Sequence, residues 1–410
     1  MARTKAVLGA GVRLSDHLSA SLLGRVYPME LIHQVLSEHD AHSQRIRSIP
    51  AAATCYYCMA LSLYPEAAYE DVFSAVTQGL AWLHRTQTVP TVAKSSISAA
   101  RNKLGYAPLR SLHELACKPL ADPLKQPEAF YAGLRLVAMD GSNFEIPAEP
   151  ENVKAFGYPG SRTGHAAYPQ AQCAVLVECA THAILGANLG PYRAAEWEIC
   201  QPLLSRLKPG MLCLADRGFN GYAYWQAAAE TGAQLLWRCA SNRQLPVVRA
   251  LEDGSFLSAI YPDTKSRRTR SGEIFVRVIE YSLPGMPEAQ ERYRLMTTLL
   301  EPVQAPALEL ATIYHERWEV EAVFDELKTH LVQRRRTLRS KTPDGVRQEF
   351  YGWVLMHYAV CWLMHEAASK HRLLQQKLSF TGHVQLLRRA QPRSGVFSPS
   401  KAQAAKALVR

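Results

Sequence analysis

Through roughly the first 125 positions apolar residues recur at three- and four-residue spacing, as in Pro28–Leu36, Ala52–Leu63 and Tyr69–Leu83, and predict helices with one buried face. Pro90 then leads into Thr91–Gly105, a basic, small-residue stretch closed by glycine. It reads as a capped helix, either the second helix of a helix-turn-helix or a surface helix closing a bundle. From residue 130 the pattern shortens to strand-like runs at Leu134–Met139, Gln172–Glu178, Ala183–Leu189, Met211–Ala215 and Gln234–Arg238. Helical stretches at Ala195–Leu207 and Tyr222–Glu230 separate the later runs, so the order predicts a mixed sheet with helices on its faces. Between Asn242 and Ala307 a structureless loop would be too long for a compact domain. Strand candidates at Phe256–Tyr261, Ile274–Leu283 and Tyr293–Leu300 instead predict a β-rich insertion, with a basic loop at Lys265–Arg270. The apolar stretch Tyr351–Met364 contains His357 and falls short of the roughly 20 residues of a membrane span, so a buried core helix is expected.

Composition narrows the class. The 410 residues are 48% hydrophobic and 20% charged, which excludes disorder as the main state. A net charge of +11 favours a polyanionic partner, and its distribution is uneven. After Glu366 there is no acid, while Lys370, Arg372, Lys377, Arg388, Arg389, Arg393, Lys401, Lys406 and Arg410 supply nine positive charges. Because 11 − 9 = 2, residues 1–366 are nearly neutral as a whole. The apolar run Ala6–Val12 is short and ends at Arg13 without a cleavage-like site, so neither secretion nor membrane insertion is expected. Nine scattered cysteines suit reduced thiols in the cytoplasm, and Cys55–Cys58 is read as a buried helical face because no second pair follows at zinc spacing.

Two carboxylates, Asp140 and Asp216, directly follow short buried-type strands, where a sheet presents side chains to a cleft. A third element is the helix carrying Tyr314, Arg317, Glu321 and Lys328. With Tyr314 at zero, an α-helix puts Arg317 at about 300°, Glu321 at about 340° and Lys328 at about 320°, one stripe beside the apolar face. Asp325 falls near the same stripe, at about 20°, as a further carboxylate. Three acids flanked by cations suit two-metal phosphodiester chemistry, since Mg²⁺ takes oxygen ligands and two ions can activate the attacking oxygen and stabilise the leaving one. Arg317 and Lys328 would then hold phosphates. Arg334, Arg335, Arg336, Arg339 and Lys341 would extend that positive surface.

The spacing Tyr-x2-Arg-x3-Glu-x6-Lys at Tyr314, Arg317, Glu321 and Lys328 resembles the signature of the insertion-sequence-four family of DDE transposases, and Asp140-Gly-Ser and Asp216-Arg-Gly-Phe are similar to its other acidic motifs. The resemblance implies an α+β/α/β chain with a ribonuclease-H-like mixed sheet core, a β-rich insertion and an N-terminal helical domain. It implies cut-and-paste transposition by metal-dependent phosphodiester hydrolysis and strand transfer. Asp140, Asp216 and Glu321 would bind the metals, two Mg²⁺ ions with Mn²⁺ as substitute, while Tyr314, Arg317, Lys328 and Arg217 would contact DNA. The partners implied are double-stranded DNA, as inverted repeats and target, and a second protomer in a dimer on DNA. The expected organisation is a helical, DNA-end-binding segment 1–129, the first part of the core 130–240, the insertion 241–305, the rest of the core 306–375, and a basic tail 376–410. A base-flipping wedge would use an aromatic of the insertion. Phe256, Tyr261, Phe275, Tyr281 and Tyr293 are its aromatics there, and they are equally good sheet residues. The rival readings are a non-catalytic sequence-specific DNA-binding protein and a ribonuclease-H-like nuclease.

Overall fold

The strands form where apolar runs are short, and their pairing fixes the architecture. In chain order they are β1 (Phe130–Tyr131), β2 (Leu134–Glu145), β3 (Gly160–Ser161), β4 (Gly164–His165), β5 (Gln170–Glu178) and β6 (Ile184–Pro191). They continue with β7 (Met211–Ala215), β8 (Gln234–Arg238), β9 (Arg249–Ala250), β10 (Phe256–Ile260), β11 (Ile274–Tyr281) and β12 (Tyr293–Thr297). This computed structural model describes residues 22–43, 49–84, 92–161, 164–219, 221–240, 243–282, 293–331 and 337–389. The chain divides into two units, one built from Pro119–Asn143 and Gln170–Phe324, the other from Met1–Lys118, Phe144–Pro169 and Asp325–Arg410.

The first unit holds a ten-stranded sheet in the order β6-β5-β2-β7-β8-β12-β11-β10-β9, with β1 beside β2. β2, β7 and β8 run parallel, and β5 pairs with β6 antiparallel. With β6 and β5 on one side of β2 and the parallel strands β7 and β8 on the other, the core is a mixed sheet of the α+β class. All five residues of β7 are buried, which is why this central strand reads as an unbroken apolar run rather than an alternating one. The β-rich segment expected at 241–305 continues this sheet, since β12 pairs antiparallel with β8 and carries β11, β10 and β9 outward. Arg277 of β11 is fully buried, held by Asp253, the Ser255 hydroxyl and the carbonyls of Leu299 and Ala305. Tyr281 and Tyr293 are register partners whose rings stack at 5.4 Å, so both serve as sheet residues. The basic stretch expected as a loop is a short helix, Thr264–Thr269, because the Asp263 carboxylate accepts from the Ser266 amide at 2.7 Å and caps it.

The second unit is helical. Its helices Met29–Glu38, Ala51–Ala60, Tyr69–His84 and Lys94–Leu104 lie close to the bounds the periodicity predicts, Ala107–Ala116 adds one it did not mark, and residues 85–91 lie outside the described residues. Cys55 and Cys58 are buried on the Ala51–Ala60 helix, and all nine cysteines are buried with no disulfide among them. The helix Pro343–His371 forms the centre, with Phe350 to Cys361 buried throughout. Among the described residues no helix is long and apolar enough to cross a membrane. The bound expected for the basic tail precedes a packed helix: Phe380–Arg389 buries Val384 and Leu387, and Arg388 donates to the carbonyls of Leu63 and Leu331. Arg393, Lys401, Lys406 and Arg410, like Arg334, Arg335 and Arg336, lie outside the described residues.

Candidate active site

The register of the parallel pair builds the site. Met139 of β2 lies opposite Ala215 of β7, so Asp140 and Asp216 occupy the next positions on two adjacent strands. One Asp140 carboxylate oxygen accepts from the Gly141 amide at 2.8 Å, and Asp216 accepts from the Gly218 amide at 2.7 Å. Each carboxylate is thereby aimed by the glycine that follows it. Arg317 adds the third acid: its Nη1 donates to Asp140 at 3.0 Å and its Nη2 to Glu321 at 3.3 Å. Arg317 Nε is buried with no hydrogen-bond partner among the described residues.

A fourth carboxylate, which the sequence reading missed, completes the cluster. Glu196 opens the short helix Glu196–Cys200, whose first turn is fixed by the Ala195 amide donating to Glu198 at 3.1 Å. Its carboxylate fills the space beside both glycines, so a Cβ at Gly141 or at Gly218 would collide with it. The two glycines after the two aspartates were the available signal: each leaves room where a neighbouring acid must approach.

The electrostatics follow from this crowding. Burial, then the charges of Asp216 and Asp140, pushes the Glu196 carboxyl up to about 7, against the Gly141 amide that lowers it. Burial also raises Asp140 to about 6, with Asp216 and Glu321 adding to the rise and Arg317 and the Gly141 amide opposing it. Four acids and one guanidinium leave an excess of negative charge, held in hard oxygen donors. That donor set fits a divalent cation of the Mg²⁺ type.

Other expected residues are placed differently. Tyr314 is 3% exposed and its hydroxyl donates to the Ala215 carbonyl at 3.3 Å, so it supports the end of β7 and has no surface to offer a duplex. Burial pushes its phenol well up from the usual value. Arg217 is exposed on the turn Arg217–Phe219 beside Asp216. The single helix expected through Lys328 is broken: Ala307–Tyr314 passes through the 3₁₀ turn His315–Trp318 into Glu319–Asp325 and then a π turn, Glu326–Leu331. The 100° step therefore holds only within Ala307–Tyr314 and Glu319–Asp325, because a 3₁₀ turn holds fewer residues than an α turn and a π turn more. Lys328 and Asp325 belong to the helical unit, where the Lys328 ammonium lies 5.1 Å from the Phe144 ring and the Asp325 carboxylate pairs with His330 at 2.9 Å.

A separate group, Glu326, His357 and Cys361, brings ligand-capable atoms within 4.8 Å of one another. His357 and Glu326 share a 2.8 Å hydrogen bond, and burial pushes the Cys361 thiol well up, which holds it protonated. It reads as a polar pair satisfied inside the helical core.

A family model described as transposase DDE domain matches residues 131–359, and one described as insertion element 4 transposase N-terminal matches residues 17–114. The chain is similar to transposase InsG for insertion sequence element IS4 of Escherichia coli strain K12, 25% identical over 351 residues that cover 84% of this chain and 77% of that one. It is also similar to the putative transposase InsZ of the same strain, 27% identical over 36% of this chain and 49% of that one. The putative transposase y4zB of Sinorhizobium fredii is 26% identical over 43% and 48%.

Proposed function

Because the chain belongs to the transposases with a DDE domain, a model that spans more than half of it, we propose that Asp140, Asp216 and Glu321 are the acids with which it cuts and joins DNA. It is an insertion-sequence transposase of the IS4 type, a DNA-cleaving enzyme that depends on divalent metal. The observation that carries the assignment is the convergence of Asp140 and Asp216 from adjacent strands with Glu321, brought in by Arg317.

In this reading the metal is Mg²⁺, replaceable by Mn²⁺, and two ions are held by the three acids. Bound there, such ions activate the attacking oxygen and stabilise the leaving one. The rest falls to the side chains. Glu196 completes the oxygen donor set and holds a proton on its carboxylate near neutral pH until positive charge arrives. Arg317 keeps Asp140 and Glu321 together against their repulsion, and its guanidinium becomes available to a phosphate once their charge is taken up. Tyr314 fixes the strand end that presents Asp216. Arg217 and Lys328 contact the DNA backbone. The substrates are the element's inverted-repeat ends and a target duplex, and working on two ends calls for a dimer on DNA.

The test is incubation of the purified protein with a duplex carrying the element's ends, with Mg²⁺ and with chelator. Joined products that vanish with chelator are expected, and Asp140→Ala, Asp216→Ala and Glu321→Ala should each abolish cleavage while end binding persists. Binding without products would favour the non-catalytic DNA-binding protein, and cleavage without joining the nuclease.

A further inference from the structure

The helical unit contains a cleft of about 450 Å³ that the catalytic residues do not use. Its walls are one face of the helix Lys94–Leu104 and the segment from Arg339 through the first turns of Pro343–His371. Four of its lining side chains are cations, Lys94, Arg101, Arg339 and Lys341, against one acid, Asp344. Three of those cations gather on a single ring: Lys94 Nζ, Arg101 Cζ and Arg339 Cζ lie 5.5, 5.8 and 4.4 Å from the Tyr69 centroid.

Like charges so close repel, and the structure holds them in place rather than dispersing them. Arg101 is 8% exposed, with Nε on Gln348 at 2.8 Å and Nη2 on the Ser340 hydroxyl at 3.0 Å. Gln348 returns a bond to the Arg101 carbonyl at 2.9 Å, which ties the two walls together. Glu349 accepts from the amides of Arg339 and Ser340, fixing the loop beneath. Arg339 Nη2 donates to the Ala67 carbonyl at 3.2 Å, while Nη1 is buried without a hydrogen-bond partner among the described residues. Nearby acids are engaged at the rim: Asp344 pairs with Arg347 at 3.4 Å and Glu149 with Lys341 at 2.8 Å. A preformed cluster of cations around one ring is suited to an anion with several acceptor oxygens.

We propose that this cleft grips the phosphodiester backbone of duplex DNA apart from the catalytic acids, a proposal that rests on the transposase reading. Lys94, Ser98 and Asn102 recur at four-residue spacing along one helix face, a stripe of about 12 Å. That length matches the rise of roughly three to four nucleotides of one strand, more than a single small anion would need. The cleft also joins the two matched family models, since Lys94 and Arg101 fall in the N-terminal one and Arg339 and Lys341 in the DDE one.

The test is fluorescence anisotropy of the full chain, wild type and Lys94→Ala/Lys341→Ala, on an element-end duplex and on an unrelated duplex between 50 and 200 mM salt. Both lysines are exposed, and Lys341 gives up only a surface pair, so the fold should be unaffected. Two lost phosphate contacts should weaken binding to both duplexes by about tenfold or more at 0.1 M salt and flatten the log–log salt slope by about 2. An unchanged slope overturns the proposal. Unchanged DNA binding together with loss of the thermal protection given by inorganic phosphate also overturns it, making the cleft a small-anion site. A wild type that binds duplex through the cleft but cleaves nothing with Mg²⁺ would sink the transposase reading and leave the cleft assignment standing.

Discussion

Glu196→Gln in metal-free protein is a sharp test of the acid cluster, because it should stabilise the chain while removing a functional group. The folded carboxyl at about 7 lies above the ordinary 4.5, so the folded state holds this proton more tightly than the unfolded one. Its contribution to stability is therefore full below pH 4.5 and lost as pH rises through about 7. The difference corresponds to about 3 kcal/mol, and screening at this half-buried position reduces it to about 1–2 kcal/mol. Asp140, moved from 3.8 to about 6, contributes with the same sign. Glutamine keeps the shape and can still accept from the Gly141 amide, but it carries no charge. Thermal unfolding in chelator should show the two proteins close at pH 5, and the variant higher at pH 8 by roughly 2–8 °C. Mg²⁺ at pH 8 should raise the wild type more than the variant. A variant less stable than wild type at pH 8 without metal, or equal stabilisation by Mg²⁺, would refute the reasoning.

Four further outcomes are expected. Gly352→Ala should destabilise the helical unit by about 1–3 kcal/mol in denaturant unfolding, because its methyl would overlap the Cys58 carbonyl of the facing helix. Tyr314→Phe should cost about 0.5–1.5 kcal/mol of stability and leave DNA affinity unchanged, whereas a direct DNA contact would show the reverse. Truncation after Arg389 removes Arg393, Lys401, Lys406 and Arg410 and should flatten the salt slope of DNA binding by at most roughly 4; truncation after Arg372 should instead unfold protein by unseating Val384 and Leu387. End affinity measured with Ca²⁺ should exceed that in chelator for the wild type, and Arg317→Ala should shrink the difference.

The sheet was legible because a parallel strand covered on both faces is a plain apolar run, and Leu136–Met139 and Met211–Ala215 are such runs followed at once by their acids. Glu196 was not, since it follows no strand and opens what reads as an ordinary amphipathic helix; its role depends on two glycines distant in sequence. The Tyr314–Lys328 stripe was half legible. Arg317 and Glu321 do share a face, but the 3₁₀ and π turns on either side of Glu319–Asp325 leave no mark in a periodicity that assumes a constant step. Tyr314 illustrates a second limit: a helical wheel gives direction around an axis, not whether another strand already occupies it.

The charge of the chain acquires a division of labour. In the resting state both terminal nitrogens of Arg317 are spent on Asp140 and Glu321, so this cation is not free to hold a phosphate. A phosphate could recruit it only when its carboxylate partners are neutralised by other means, and protonation of Asp140 or uptake of divalent metal are the means the proposed reading offers. In the proposed reading, metal binding by the acids and phosphate binding by Arg317 would be coupled, and by linkage the coupling would be reciprocal. Such a device would not by itself gather DNA, because its grip would depend on a metal that the acids must first bind. First capture would need cations that do not depend on metal, and the proposed cleft of Lys94, Arg101, Arg339 and Lys341 would supply them, with Lys341 paired to Glu149 at the rim. The near-neutral sum over residues 1–366 thus conceals two opposed sites, an acid-rich one whose cation is conditional and a basic one whose cations are permanent.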